Sequence, residues 1–173
     1  MTDDGIDGVV LVPLEWNRDD RGAFAELFRQ EWVPGAPPMV QANLSRSRAG
    51  VLRGMHFHKE QADFWILLEG RQFVALYDLR PSSPTSGQKL ELSLDAQAEL
   101  RGLYVPPGVA HGFYAASDVE MLYLVDLAYT GDDEHGFIWN DPQAGISWPN
   151  DDPILSDRDR ANPSLSDAKL RLS

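Results

Sequence analysis

The 173-residue sequence contains no cysteine, which excludes disulfide bonds, thiolate metal ligands and cysteine nucleophiles. It also has no run of about 18 consecutive apolar residues, so we expect no segment to cross a membrane. The opening residues, MTDDGIDG, are acidic and lack the basic start and apolar block of a secretory signal. These absences favour a cytoplasmic protein. The length suits a single domain with a sizeable core rather than two domains.

Positive charge is also scarce, with 15 Lys and Arg residues against 27 Asp and Glu and a net charge of −12. A nucleic-acid-binding face needs clustered cationic side chains, so we expect no nucleic-acid partner. Lysine is especially rare, and most of the cations are arginines. A few arginines inside a pocket would suffice for a small nucleotide, because the guanidinium fork matches the oxygens of a diphosphate.

The pattern that remains is typical of an all-β protein. Short stretches rich in β-branched and aromatic residues alternate with Pro- and Gly-rich turns at intervals of roughly ten residues, which predicts a sandwich or barrel. The strands are predicted at 9–16, 23–29, 39–45, 63–69, 72–79, 89–95, 102–106, 112–117 and 120–129. The stretch DFWILLEGRQFVALYDLR predicts a hairpin that turns at Glu69 and Gly70. The tail from residue 156 is expected to contain short helical pieces.

Two histidines lie two residues apart in RGMHFHKEQADFW, residues 53–65. Residues i and i+2 of a strand face the same side, so His56 and His58 would both point into a barrel. Asp63 would begin the returning strand, and His111 of PPGVAHGF would arrive from another strand. Three imidazoles and one carboxylate could hold a divalent metal. The alternative is that they are ordinary polar residues at the mouth of the barrel.

These spacings resemble the paired signatures of the cupin superfamily, a small β-barrel whose ligands line the interior. A more specific resemblance covers most of the chain. Its segments, in order, are DDRGAFAELF (19–28), VQANLSRSRAGVLRGMHFH (40–58), YDLRPSSPTSG (77–87), YVPPGVAHGF (104–113), MLYLVDLAY (121–129), WNDPQAGISWP (139–149) and LSDRD (155–159). In these segments the sequence resembles the dTDP-4-dehydrorhamnose 3,5-epimerase family, whose members have the cupin fold.

The resemblance implies a single domain over residues 1–173 with the cupin-type double-stranded β-helix, or jelly-roll barrel. It implies a partly helical C-terminal tail at 150–173 and a homodimer to which strands within 1–29 contribute. The implied activity is epimerisation of a nucleotide-diphospho-4-keto-6-deoxyhexose at C3, at C5 or at both. A base removes a proton next to the ketone, and an acid returns one from the opposite face. No metal, nicotinamide or flavin is required by the resemblance.

The resemblance also implies residue roles. His56 matches the family's catalytic base, Asp159 the carboxylate that pairs with it, and Tyr123 the acid on the opposite face of the sugar. The matching residues that reach the nucleotide and diphosphate are Arg21, Glu26, Gln41, Asn43, Arg53 and Tyr129. His111 is also predicted to bind the substrate. Arg21 and Glu26 often act across a dimer interface in this family, and Arg53 is the residue we favour for phosphate.

The sequence departs from the family pattern at two positions near the base. The usual glutamine two residues after the base is His58, and the usual lysine at the start of the next strand is Asp63. Because the lysine would stabilise the enolate oxygen, its replacement by a carboxylate works against the reaction. One hypothesis is that His56, His58, Asp63 and His111 hold a divalent cation that polarises the ketone.

Other interpretations of these departures stay open. His58 and Asp63 could instead form a pair while His111 donates to the oxyanion, or activity could be reduced, confined to one carbon, or lost. Two further functions compete with epimerisation. One is a metal-dependent cupin enzyme acting on another small molecule, and the other is a catalytically impaired protein that binds sugar nucleotides.

Overall fold

Strands dominate the computed structural model, which describes residues 5–128 and 130–171. The strands are β1 (Val10–Leu14), β2 (Asn17–Asp19), β3 (Gly22–Phe24), β4 (Gln41–Ser47), β5 (Leu52–Phe57), β6 (Asp63–Glu69), β7 (Arg71–Asp78), β8 (Lys89–Asp95), β9 (Leu100–Val105), β10 (Val109–Ala115), β11 (Val119–Val125) and β12 (His135–Gly136). A 3-10 helix spans Gln30–Trp32, and the helices are α1 (Asp157–Arg160) and α2 (Leu165–Leu170). The all-β prediction is confirmed, as are the short helical pieces after residue 156.

Two antiparallel five-stranded sheets face each other. The first has the strand order β1-β9-β6-β11-β4, and the second has the order β12-β5-β10-β7-β8. Strands β2 and β3 form a separate hairpin. Apart from the consecutive strands β7 and β8, neighbouring strands within each sheet are not consecutive in the chain, which is the jelly-roll arrangement expected of a cupin. The predicted fold class is therefore confirmed.

The predicted hairpin over DFWILLEGRQFVALYDLR is wrong, although its turn is where we expected it. Strand β6 pairs with β9 and β11, whereas β7 pairs with β10 and β8, so the chain changes sheets at Gly70. Gly70 has a φ of 86°, and a Cβ there would lie 2.0 Å from the backbone oxygen of Asp118. Glycine is therefore required at this crossover. Both strands are largely buried, so their local pattern does not reveal which strands flank them.

The core has three layers. Side chains from both sheets fill the space between them, including Trp65, Leu103 and Phe113. The segment that follows β3 covers the outer face of the first sheet, where Phe28 packs edge-on against Phe64 with ring centroids 5.0 Å apart. The C-terminal segment covers the outer face of the second sheet with residues such as Phe137, Leu165 and Ala168. Both outer faces are therefore covered, and the cavity described below lies between the inner faces of the two sheets.

The N-terminal strands differ from their predicted bounds. Strand β1 pairs with β9 of the same chain along five residues, from Val10 opposite Tyr104 to Leu14 opposite Leu100. The predicted strand at 23–29 is reduced to β3, and Phe24 at its end is 64% exposed. The dimer contribution of residues 1–29 remains a prediction. In the described ranges, no helix has the length and hydropathy needed to span a membrane.

Candidate active site

A cavity of about 450 Å³ opens between the two sheets. The first sheet lines it with Gln41, Asn43, Ser45, Asp63, Trp65, Met121, Tyr123 and Val125. The second sheet and nearby loops line it with Arg53, His56, His58, Gln61, His111, Phe113 and Glu134. Most of the predicted site residues therefore meet in one place. The size and polar lining suit a small polar ligand.

His56 is held by a buried carboxylate from the C-terminal tail. It lies on β5, and its Nε2 is 2.5 Å from Oδ1 of Asp159, which is 3% exposed. Because a carboxylate accepts, Nε2 carries the proton and donates to Asp159. A neutral His56 therefore keeps the lone pair on Nδ1 and can act as a base there.

Asp159 is positioned by the start of helix α1. Ser156 is the N-cap residue, and its hydroxyl accepts from the backbone N–H of Asp159 at 3.1 Å. The same hydroxyl lies 2.8 Å from the second carboxylate oxygen of Asp159 and donates to it. Burial alone would raise the pKa of Asp159, but its hydrogen bond and electrostatic interaction with His56 and its hydrogen bond with the Ser156 hydroxyl hold that pKa below its usual value. Asp159 is therefore ionised at neutral pH and orients His56.

Tyr123 reaches the cavity from the opposite sheet. It lies on β11, where it is paired with Asn43 of β4 and Trp65 of β6. His56 lies on β5 of the second sheet, opposite His111 of β10. Because the two sheets face each other, a base and a phenol approach the cavity from its two walls. This arrangement suits removal of a proton from one face of a ligand and its return to the other.

His58, Asp63 and His111 form a separate cluster deeper in the same cavity. All three residues are buried, and one ligand atom from each lies within 4.8 Å of the other two. Nε2 of His111 is 3.7 Å from Oδ2 of Asp63, and the rings of His58 and His111 have centroids 5.4 Å apart. His56 is not in this cluster, so the structure brings together three of the four predicted metal ligands.

Each member of the cluster is oriented by a fixed partner. Nδ1 of His58 lies 2.7 Å from the backbone oxygen of Asp133, and Nδ1 of His111 lies 3.1 Å from that of Val109. Asp63 accepts from Nε2 of Gln61 at 2.8 Å and from Nε1 of Trp65 at 3.1 Å. Burial lowers the pKa of His111 to about 4, despite the opposing charge of Asp63. His111 is therefore neutral at pH 7.

The predicted substrate-binding residues divide into two groups. Gln41, Asn43 and Arg53 line the cavity together with His111, and Gln41 donates to Oδ1 of Asn43 at 2.9 Å. Nε of Arg53 donates to Oγ of Ser47 at 2.9 Å.

The second group lies away from this cavity within the chain. Arg21 pairs with Asp19 and has a side chain that is 89% exposed, and Glu26 pairs with Arg29. Tyr129 lies outside the described residues.

Sequence reasoning missed several residues that support the site. Gln61 and Trp65 hold Asp63, and Ser156 holds Asp159. The carboxylate of Asp133 accepts from the backbone N–H groups of three consecutive residues, 59–61, which shapes the loop that carries His58. Of these, only Ser156 had a local signal, because Ser-x-x-Asp before a helix is a capping pattern.

The fold and the cavity define a cupin barrel whose interior cavity is lined by a histidine paired with a buried carboxylate. The family model for dTDP-4-dehydrorhamnose 3,5-epimerase matches residues 3–167. The chain belongs to this family of isomerases, which confirms the resemblance seen in the sequence.

Named relatives agree closely with this assignment. The dTDP-4-dehydrorhamnose 3,5-epimerase of Pseudomonas aeruginosa is 40% identical over 171 residues, with 94% of each chain covered. The dTDP-4-dehydrorhamnose 3-epimerase of Streptomyces niveus is 37% identical, covering 95% of this chain and 83% of that one. A crystal structure of the Legionella pneumophila dTDP-6-deoxy-D-glucose-3,5-epimerase in complex with dTDP-4-keto-L-rhamnose is similar with a TM-score of 0.88 and 32% identity, covering 96% of this chain and 93% of that chain.

Proposed function

We propose that this protein epimerises a dTDP-linked 4-keto-6-deoxyhexose at C3, at C5 or at both carbons. The observation that carries the proposal is the His56–Asp159 pair facing Tyr123 across one cavity. The chemistry of the relatives supports it, since their names specify epimerisation of a dTDP-4-keto sugar. The relatives at similar identity include enzymes named for one carbon and for two, so both outcomes belong to the proposal.

The proposed reaction begins when Nδ1 of His56 takes the proton from the carbon next to the ketone. The electron pair of that C–H bond forms the C=C bond of an enolate, and the carbonyl electrons move onto the oxygen. The hydroxyl of Tyr123 then gives its proton to the opposite face of the same carbon, and the ketone is restored. His56 and Tyr123 return to their starting states by exchange with solvent. No organic cofactor is needed, because the ketone itself accepts the electron pair.

Nucleotide binding is proposed for the polar residues at the wall of the cavity. Arg53 is suited to the diphosphate because a guanidinium group can donate two hydrogen bonds to phosphate oxygens. Gln41 and Asn43 provide neutral donors and acceptors for the nucleotide, as Tyr129 would. Arg21 and Glu26 are assigned to the nucleotide of a second copy in a homodimer. Sedimentation equilibrium tests this part, and a monomer at micromolar concentration would exclude it.

The test of the proposed function is proton exchange in heavy water. We expect the purified protein to incorporate deuterium at C3, C5 or both when incubated with dTDP-4-keto-6-deoxyglucose. NMR of the recovered sugar identifies the carbon and its configuration. If neither carbon acquires deuterium with this or any other dTDP-4-keto-6-deoxyhexose, the proposal fails.

Replacing Tyr123 with phenylalanine should separate proton removal from inversion. We expect Tyr123→Phe to retain deuterium incorporation, because His56 can remove a proton and return a deuteron to the same face. Inversion should fall by about 10²-fold or more, since the opposite face has lost its acid. NMR of the product measures both rates in one sample. Inversion at the unchanged rate would remove Tyr123 from the mechanism.

A second candidate function is a metal-dependent cupin reaction on another small molecule. The cluster of His58, Asp63 and His111 favours it, because two histidines and a carboxylate form a common transition-metal ligand set. Bound metal without any deuterium exchange on dTDP-4-keto sugars would favour this candidate over the epimerase. A cytoplasmic location remains a prediction of the sequence.

A further inference from the structure

We propose that His58, Asp63 and His111 form a binding site for a divalent transition-metal ion, whose charge stabilises the enolate oxygen of the epimerisation. The proposal that these residues bind a metal depends only on the geometry of the cluster. Its catalytic role rests on the proposed function.

The hydrogen bonds of the two histidines set which nitrogen is available to a metal. A backbone carbonyl can only accept, so Nδ1 of His58 donates to Asp133 and Nδ1 of His111 donates to Val109. In the neutral rings, each Nε2 therefore carries a lone pair. In metal-binding histidines, the ring nitrogen that does not bind the metal usually donates to a backbone carbonyl or a carboxylate.

Asp63, the third ligand, is also oriented by hydrogen bonds. Asp63 is 4% exposed, and each of its oxygens accepts one hydrogen bond, from Gln61 or from Trp65. A carboxylate oxygen has a further lone pair after accepting one such bond. Lone pairs of two imidazoles and one carboxylate thus converge in a buried position, where they repel one another until a cation lies between them.

The separations are close to those that a metal requires. Nε2 of His111 and Oδ2 of Asp63 are 3.7 Å apart, and one ring nitrogen or carboxylate oxygen from each of the three residues lies within 4.8 Å of the others. Tetrahedral ligands with metal bonds of about 2.1 Å lie about 3.4 Å apart, so small side-chain movements complete the geometry. Two imidazoles and one carboxylate favour zinc, iron, cobalt or manganese over magnesium or calcium, which prefer oxygen ligands.

His56 is excluded from this ligand set by its own partner. Its Nε2 donates to Asp159 at 2.5 Å, and its Nδ1 is the atom needed for proton removal. The base and the metal site are therefore separate groups that share one cavity.

The charges of the side chains that line the cavity favour the binding of a cation at this cluster. Among the described residues that line it, Arg53 is the one arginine or lysine, whereas Asp63 and Glu134 are acidic. Glu134 is neutralised by an ion pair with Arg158, whereas the carboxylate of Asp63, within the cluster, has no lysine or arginine partner among the described residues that line the cavity. A divalent ion changes the cluster from a net charge of −1 to +1. That positive charge is what a developing enolate needs in a buried site.

Metal binding can be tested without any substrate. The protein is stripped with a chelator, exchanged into Co²⁺ or Zn²⁺ and passed through a desalting column before elemental analysis. We expect about one ion per chain and, with Co²⁺, visible absorption bands from nitrogen and oxygen ligation. The His58→Asn and His111→Asn variants should bind at least about 100-fold more weakly. An asparagine amide can replace Nδ1 as donor to the backbone carbonyl but provides nothing at the position of Nε2.

Matched variants complete the binding test. His135→Asn changes the remaining histidine, which packs on Phe57, and should bind metal as the wild type does. His56→Gln should also retain the ion, since His56 is not a ligand. Thermal melting checks that each variant is folded, and Asp63→Asn provides a third ligand deletion. Failure of the folded wild type to retain any of Co²⁺, Zn²⁺, Mn²⁺ or Fe²⁺ would overturn the site, as would unchanged binding by the folded ligand variants.

The catalytic role has its own outcomes. We expect metal-free protein to lose deuterium exchange on dTDP-4-keto-6-deoxyglucose by about 10²-fold or more, and to regain it when the ion is restored. Exchange at the same rate without metal would overturn the catalytic role while leaving the proposed epimerase intact. Stoichiometric binding without exchange in any form would support the site and reject the proposed function.

Discussion

Replacing His56 with glutamine is expected to lower both deuterium exchange and epimerisation by about 10²- to 10⁴-fold, the usual contribution of a general base. Glutamine is chosen because its amide nitrogen can occupy the position of Nε2 and still donate to Asp159. The variant therefore retains the buried hydrogen bond of the wild type, which is 2.5 Å long. It loses only the Nδ1 lone pair, so a lower rate reports the base rather than a collapsed site.

The control for this experiment is His135→Gln. His135 stacks on Phe57 with ring centroids 5.2 Å apart and is paired with it across β12 and β5. This control should keep the wild-type rate. Steady-state kinetics and NMR exchange on both variants give the comparison. Wild-type exchange by a folded His56→Gln protein would show that another group removes the proton.

The Asp159→Asn substitution is expected to lower the epimerisation rate by about 10²-fold or more, through the tautomer of His56. An amide NH2 group directed at Nε2 would force that nitrogen to accept, which moves the ring proton to Nδ1. Nδ1 is the atom that must be free to take the substrate proton. Asp157→Asn is the matched control, because Asp157 lies on the same helix and is exposed. Equal rates for the two variants would remove Asp159 from the mechanism.

A stability measurement distinguishes a positioning role for Asp159 from a merely structural one. Although burial opposes it, the contacts with His56 and Ser156 lower the pKa of Asp159 in the folded protein. A carboxyl with a lowered pKa contributes stability above its unfolded pKa, and that stability is lost as the pH falls through the folded value. Asp159→Asn should therefore reduce the melting temperature more at pH 7 than at pH 3. If conditions that restore only the stability of Asp159→Asn also restored its epimerisation rate, the tautomer argument would be contradicted.

Several features could be predicted from the residues alone. Alternating short strands and turns indicated an all-β domain, and the order of the motifs indicated the family. The spacing of His56 and His58 correctly placed both side chains in one cavity, because residues i and i+2 share a face of a strand. The Gly70 turn was also correctly located, since its conformation is a local property.

The partners of these elements were decided by tertiary structure. Strands β6 and β7 lie in different sheets because each pairs with strands that arrive much later in the chain. His56 is not one of the clustered ligands, because its Nε2 is hydrogen-bonded to Asp159, which is 103 residues away in the sequence. The orientation of His58 depends on a backbone carbonyl 75 residues away at Asp133.

Local strand geometry therefore determined that two histidines and an aspartate line the cavity, and the stretch that carries them is RGMHFHKEQADFW. Only the folded chain decided that His56 pairs with Asp159 and that His58 and Asp63 lie beside His111. The roles proposed for these histidines depend on which nitrogen of each imidazole holds a proton. That choice is made by acceptors that strand register and the packing of the C-terminal tail bring into contact, and local sequence does not encode it.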